Sequence, residues 1–147
     1  MTKALGFIGL GVMGFPMAGH LSKHNQIAVF NRTKTKSEIW STKYEGKICS
    51  SPHELAKISD VIILCVGDDN DVRDIVTGHQ GLLNNLKPGS IIIDHTTTSA
   101  KLAKEMYELL NANNVSYIDA PVSGGEVGAQ SGKLSIMVGG NKDAYDQ

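Results

Sequence analysis

The stretch GFIGLGVMGFPMAGHL, Gly6 to Leu21, decides how the rest of the chain is read. It places five glycines and two methionines in sixteen residues. Glycine is poor in helices and strands alike. Such density directly behind an apolar run therefore marks a turn with special backbone demands. Gly9-Leu10-Gly11-Val12-Met13-Gly14 has the spacing G-x-G-x-x-G. A strand reading precedes it and a helix reading follows, the context in which this spacing cradles a dinucleotide. Gly9 permits the tight turn, Gly11 lets the backbone approach a pyrophosphate, and Gly14 lets the helix lie close to the sheet. The helix N-terminus then turns unpaired N–H groups toward the phosphates. A glycine-rich turn without a ligand is the competing reading. Met13, Met17 and Leu21 recur every four residues, which predicts one helix stripe against the sheet. Pro16 falls in or near the first turn, where a missing N–H matters least.

Working outward, short apolar runs alternate with longer helical segments. The runs are residues 4–9, 27–30, 61–66, 90–94 and 115–119. A continuous run such as Val61–Val66 predicts a strand buried on both faces. Strand and helix in alternation predict βαβ units with right-handed crossovers. Ser99 and Ser51 are placed to cap helices, the second with Pro52 at its first position. The first of these helices would bury Leu102, Met106 and Leu109 or Leu110. Lys87-Pro88-Gly89-Ser90 predicts a turn. Residues 133–140 alternate, with Leu134, Ile136 and Val138 on one side, which predicts a strand nearer the sheet's edge. Asn141 then caps a nascent helix. The fold class is α/β: a Rossmann-type, doubly wound, mostly parallel sheet with helices on both faces, in a single domain over 1–147. A chain that stops inside a helix reads as a fragment of something longer.

Composition narrows the function. With 41% hydrophobic and 20% charged residues and a net charge of -1, the chain gives no electrostatic reason to expect nucleic acid or an anionic membrane as partner. No apolar run approaches the ~18 residues that span a bilayer, and glycines interrupt the one stretch that resembles a secretory signal. Of two cysteines, Cys65 lies in VIILCV and reads as a buried strand thiol; a reducing, cytoplasmic location fits.

At the end of the second strand an NAD-binding domain usually carries an acid for the ribose hydroxyls. Here the chain reads Asn31-Arg32-Thr33. A guanidinium would pair with a 2′-phosphate that a carboxylate would repel, so NADP(H) is favoured over NAD(H), with Lys36 adding charge. A solvated loop arginine is the alternative. The missing acid also speaks against a methyltransferase-like site for S-adenosylmethionine.

Taken together, FIGLGVMGFPMAGHL, NRT at 31–33, LKPGSIIIDHTT and DAPVSGG at 119–125 resemble the β-hydroxyacid dehydrogenase family, which includes 3-hydroxyisobutyrate dehydrogenases and the tartronate, glyoxylate and succinic semialdehyde reductases. The resemblance covers nearly the whole chain. It implies that Cys65, Val66 and Gly67 line the cofactor path, that Thr97 contacts the nicotinamide side, and that Ser123, Gly124 and Gly125 hold the carboxylate of a small-molecule substrate. A hydroxyl with two unobstructed N–H groups suits an anion, although PVSGG can also be a simple turn. The family's catalytic lysine and an all-helical second domain, which largely makes its subunit contacts, would lie beyond Gln147. Lys133 is not that lysine, so no catalytic residue is assigned in this chain. A non-catalytic NADP(H)-binding module is the alternative reading. His20 and His24 lack a third metal ligand, and Asp68, Asp69 and Asp71 read more simply as a helix N-terminus than as a cation site. His95, beside the expected nicotinamide site, reads as a loop residue, and Asp71 is placed to approach the cofactor.

Overall fold

The computed structural model describes residues 2–147. Five of the apolar runs become parallel strands: β1 (Leu5–Ile8), β2 (Ile27–Phe30), β4 (Val61–Leu64), β5 (Ile91–Asp94) and β6 (Ser116–Asp119). A short β3 (Lys47–Ile48), which the sequence reading did not anticipate, completes one edge. The sheet order is β3-β2-β1-β4-β5-β6, parallel throughout. The chain winds outward from β1 in one direction and restarts beside it at β4. That reversal opens a crevice at the carboxyl ends of β1 and β4, where folds of this kind bind ligands.

The continuous apolar runs are explained by helices on both sides. Ile62 and Leu64 point into a cluster with Leu55, Val72, Leu102 and Met106. These come from α3 (Pro52–Lys57), α4 (Asp69–Thr77) and α5 (Ala100–Asn111). Val61 and Ile63 point the other way, into a cluster with Ala18 and Trp40. These come from α1 (Gly14–Ser22) and α2 (Lys34–Lys43). Helix starts follow local chemistry. Ser51, Asp68 and Ser99 accept from the N–H groups of Glu54, Asp71 and Leu102 at 3.1, 2.9 and 3.1 Å. Residues 87–90 form the expected turn, with Gly89 at φ +85° and the Ser90 N–H donating to the Lys87 carbonyl. Leu102, Met106 and Leu110 are the buried stripe of α5.

Three expectations are corrected. Along α1 the fully buried contacts are Gly14 and Ala18, and Met17 and Leu21 pack half-buried against the same cluster as expected; Met13 does not join them but precedes the helix and lines the cleft. The helix lies so close that only small residues fit beneath it. Residues 133–140 do not add a full strand to the sheet. Only β8 (Ser135–Ile136) is regular, and it pairs antiparallel with β7 (Val122–Ser123); a single bridge joins Gly139 to Asp119 on β6. Ile136, Met137 and Val138 are exposed. Cys65 is half-buried just past the end of β4, whereas Cys49 is the fully buried thiol. Two short helices, α6 (Gly125–Ser131) and α7 (Lys142–Asp146), complete the chain, the latter capped by Asn141.

Candidate functional site

A cleft of about 530 Å³ occupies the crevice between β1 and β4, within the range of small-molecule and cofactor sites. A wider groove of about 1060 Å³ lies at the opposite, amino-terminal edge of the sheet, lined by Lys3, Gln26, Glu45 and Asp60. It gathers the carboxyl ends of helices, whose partial negative charge disfavours an anion. The glycine loop and the N-terminus of α1 are at the first cleft, which makes it the candidate site.

The three glycines have separate jobs. Gly9 takes φ +105°, and a Cβ there would run into the Cys65 carbonyl. A Cβ at Gly14 would strike the Gly9 carbonyl oxygen first and the Phe7 ring second, at 3.2 Å. Gly14 therefore closes the loop on itself as well as seating the helix. A Cβ at Gly11 would meet nothing within 4 Å. Of the three, only Gly11 borders empty space, and a pyrophosphate fits the room it leaves.

Leu10 contributes backbone alone. Its side chain is core, and its N–H donates to Asn31 Oδ1 at 2.8 Å. The Asn31 amide in turn donates to the Thr33 carbonyl at 3.1 Å. Asn31 thus ties the glycine loop to the β2–α2 turn. Val12, Arg32, Thr33 and Lys36 all line the cleft. Arg32 is 84% exposed and reaches Asp71 at 3.4 Å from the facing wall.

Cys65, Val66 and Gly67 form that facing wall. Burial, and secondarily the Asp94 charge, push the Cys65 thiol up to about 11, so it stays neutral. The Val66 N–H donates to Thr96 Oγ1 at 3.0 Å; the Thr96 N–H donates to Asp94 Oδ1 at 2.9 Å; the Tyr117 hydroxyl donates to Asp94 Oδ2 at 2.7 Å. Asp94 is fully buried, and loss of water holds its carboxyl above the usual range despite these donors. Asp119 is also raised, by burial and then by Asp94. Tyr117 is raised for the same reasons. Sequence reasoning missed this network; its one visible signal was an acid closing the apolar run IIID.

Thr97, next to Thr96, is exposed and lies outside the cleft wall, as do Ser123, Gly124 and Gly125. Gly124 and Gly125, at φ +135° and +62°, open α6. His95 Nδ1 donates to the Ala120 carbonyl at 2.7 Å, fastening the loop that precedes Ser123 to the end of β5. His20 Nε2 sits 3.0 Å from the carbonyls of both Ala129 and Gln130 at the carboxyl end of α6, which gives it a capping role. Among the described residues no three His, Cys, Asp or Glu gather as metal ligands, and no helix is long and apolar enough to cross a membrane.

A dinucleotide fits this donor set: a bare backbone at Gly11, a helix N-terminus, and two cations, Arg32 after β2 and Lys36 in the first turn of α2. Comparison with known proteins points the same way. The family described as the NAD binding domain of 6-phosphogluconate dehydrogenase matches residues 4–147. An uncharacterized oxidoreductase of Shewanella frigidimarina is 45% identical over 141 residues, covering 95% of this chain and 48% of that protein. The Mycobacterium tuberculosis 3-hydroxyisobutyrate dehydrogenase with L-serine superposes with a TM-score of 0.91 at 29% identity, over 99% of this chain and 49% of that one. Psf3 in complex with NADP+ and 2-OPP gives 0.89 at 30% identity, over 97% and 50%. The chain spans about half the length of the curated relatives it matches.

Proposed function

The chain belongs to the family of NAD-binding domains of 6-phosphogluconate dehydrogenase, and from that premise we propose that it is the cofactor-binding half of an NADP(H)-dependent oxidoreductase acting on a small β-hydroxyacid or its semialdehyde. The candidates are the 3-hydroxyisobutyrate, tartronate semialdehyde, glyoxylate and succinic semialdehyde class. The observation that carries the NADP(H) preference is Arg32 at the cleft mouth, with Lys36 beside it, where an NAD-binding domain would carry an acid. The NADP+ complex of a structural relative supports it.

When bound, the nicotinamide supplies hydride exchange at its C4. This chain's residues bind and orient. Gly11 and the N-terminus of α1 receive the pyrophosphate, Arg32 takes the 2′-phosphate, and Asn31 keeps these two elements in register. The Thr96–Asp94–Tyr117 network fixes the Val66 backbone and so the wall along which the cofactor runs. Ser123, Gly124 and Gly125 receive the substrate carboxylate. The proton to or from the substrate oxygen is handled by a lysine in a further, all-helical domain, which also brings the subunits together. The protein works in the cytoplasm.

The test is titration of the protein with NADPH and NADH. Arg32→Ala is expected to weaken NADPH by about tenfold or more, the worth of a charge-assisted contact, and NADH little. Equal losses would refute the assignment. Turnover of the named substrates by the full-length protein separates an oxidoreductase from a non-catalytic module.

A further inference from the structure

Opposite charges face each other across the outer end of the cleft. Arg32 and Lys36 stand on the β2–α2 side, Asp71 and Asp74 on α4. Asp71 is the anchored member. Its N–H is held by the Asp68 carboxylate at 2.9 Å, and its Oδ2 lies against Gly67, where a Cβ would strike it. Oδ1 meets Arg32 Nη1 at 3.4 Å, the only hydrogen bond that either side chain makes among the described residues. Asp71 is 28% exposed against 84% for Arg32. The Asp71 backbone is thus held by its helix cap and its carboxylate is seated against Gly67, while the solvent-exposed guanidinium of Arg32 reaches across to it. That contact engages one of the five N–H donors of the arginine and leaves the rest to a ligand.

We propose that Asp71 is a specificity-determining residue, a carboxylate that competes with the 2′-phosphate for Arg32 and holds the preference for NADP(H) below what Arg32 and Lys36 alone would give. The proposal rests on Arg32 being the 2′-phosphate ligand. A 2′-phosphate on Arg32 must share the guanidinium with the Asp71 carboxylate, and two like charges then answer to one cation. A 2′-hydroxyl meets no such penalty, so NADH is indifferent to Asp71. The acid that marks NAD-binding domains closes β2. Asp71 comes instead from the opposite wall and acts on the arginine.

The experiment is a four-protein cycle on the intact protein: wild type, Asp71→Asn, Arg32→Ala and the double variant, each titrated with NADPH and NADH at low and high salt. Asp71→Asn keeps the shape and removes the charge. It is expected to tighten NADPH by about three- to tenfold, the range of a weak surface pair plus relief of repulsion, and to leave NADH within about twofold. The gain shrinks in the Arg32→Ala background and at high salt. Unchanged or weaker NADPH binding overturns the proposal. So does weaker NADH binding, which would make Asp71 a ribose ligand. A normal Arg32→Ala loss without an Asp71→Asn gain overturns this inference alone. An Arg32→Ala variant with no selective loss removes the reading beneath it, and this inference with it.

Discussion

Alanine at each of the three loop glycines separates binding from folding. At Gly11 the new methyl meets nothing within 4 Å, and the backbone there is not left-handed. Replacing such a glycine restricts the unfolded chain and stabilises by ~0.4–1 kcal/mol. At ~2–4 °C per kcal/mol for a chain of this size, the melting temperature should hold or rise slightly. The methyl would fill the space proposed to take the pyrophosphate. Overpacking of ~1–3 kcal/mol then predicts a ~5- to 150-fold loss of NADPH affinity. Gly14→Ala drives its methyl into the Gly9 carbonyl, where backbone faces backbone and neither side yields cheaply. The cost belongs at the upper end, ~3 kcal/mol, or ~6–12 °C. Gly9→Ala adds φ +105° and a further ~1–3 kcal/mol of strain. Thermal melts with and without NADPH read both quantities. If Gly11→Ala melts as early as Gly14→Ala, or binds NADPH normally, the division of labour is wrong.

Three further outcomes concern the buried network. Tyr117→Phe leaves the buried Asp94 carboxylate one donor short and should cost ~1.5–3 kcal/mol in urea denaturation; a cost near zero would show the bond to be idle. Burial raises the folded-state value of Asp94 above its ordinary 3.8, so the native chain holds that proton more tightly than the unfolded one, and the stability this gives is lost as pH rises through the raised value. Asp94→Asn cannot ionise, so its stability relative to wild type should improve as pH rises from the ordinary value of 3.8 through the raised one; the opposite trend refutes the direction. Cys65, neutral because its thiol is pushed up to about 11, and the buried Cys49 should react with a disulfide reagent at about pH 8 only after unfolding; rapid modification of the native protein would count against the packing at the cleft wall.

What could be read from the sequence was what is decided locally. The caps at Ser51, Ser99 and Asn141 and the turn at Gly89 each depend on chemistry within a few residues, and the order of strands and helices follows from periods of two and 3.6. The errors arose where a partner had to be chosen. Four-residue spacing groups Met13 with Met17 and Leu21, but does not show that the helix begins at Gly14 and leaves Met13 to the cleft. Alternation in residues 133–140 shows strand character, but not that the partner is β7 rather than the sheet. Asp94 and Tyr117 meet because Ile92 pairs with Tyr117 across β5 and β6, a register no local rule supplies.

The proposed cofactor preference meets the same limit. The motif at β2 displays Arg32, and the motif alone argues for NADP(H) with nothing set against it. The residue that answers Arg32 stands 39 positions away on a different helix. Selectivity is a difference between two affinities. If Asp71 acts as proposed, a carboxylate that burdens only the phosphorylated cofactor changes the ratio as directly as the arginine that attracts it. The β2 motif supplies one member of that balance, and the fold brings up the other.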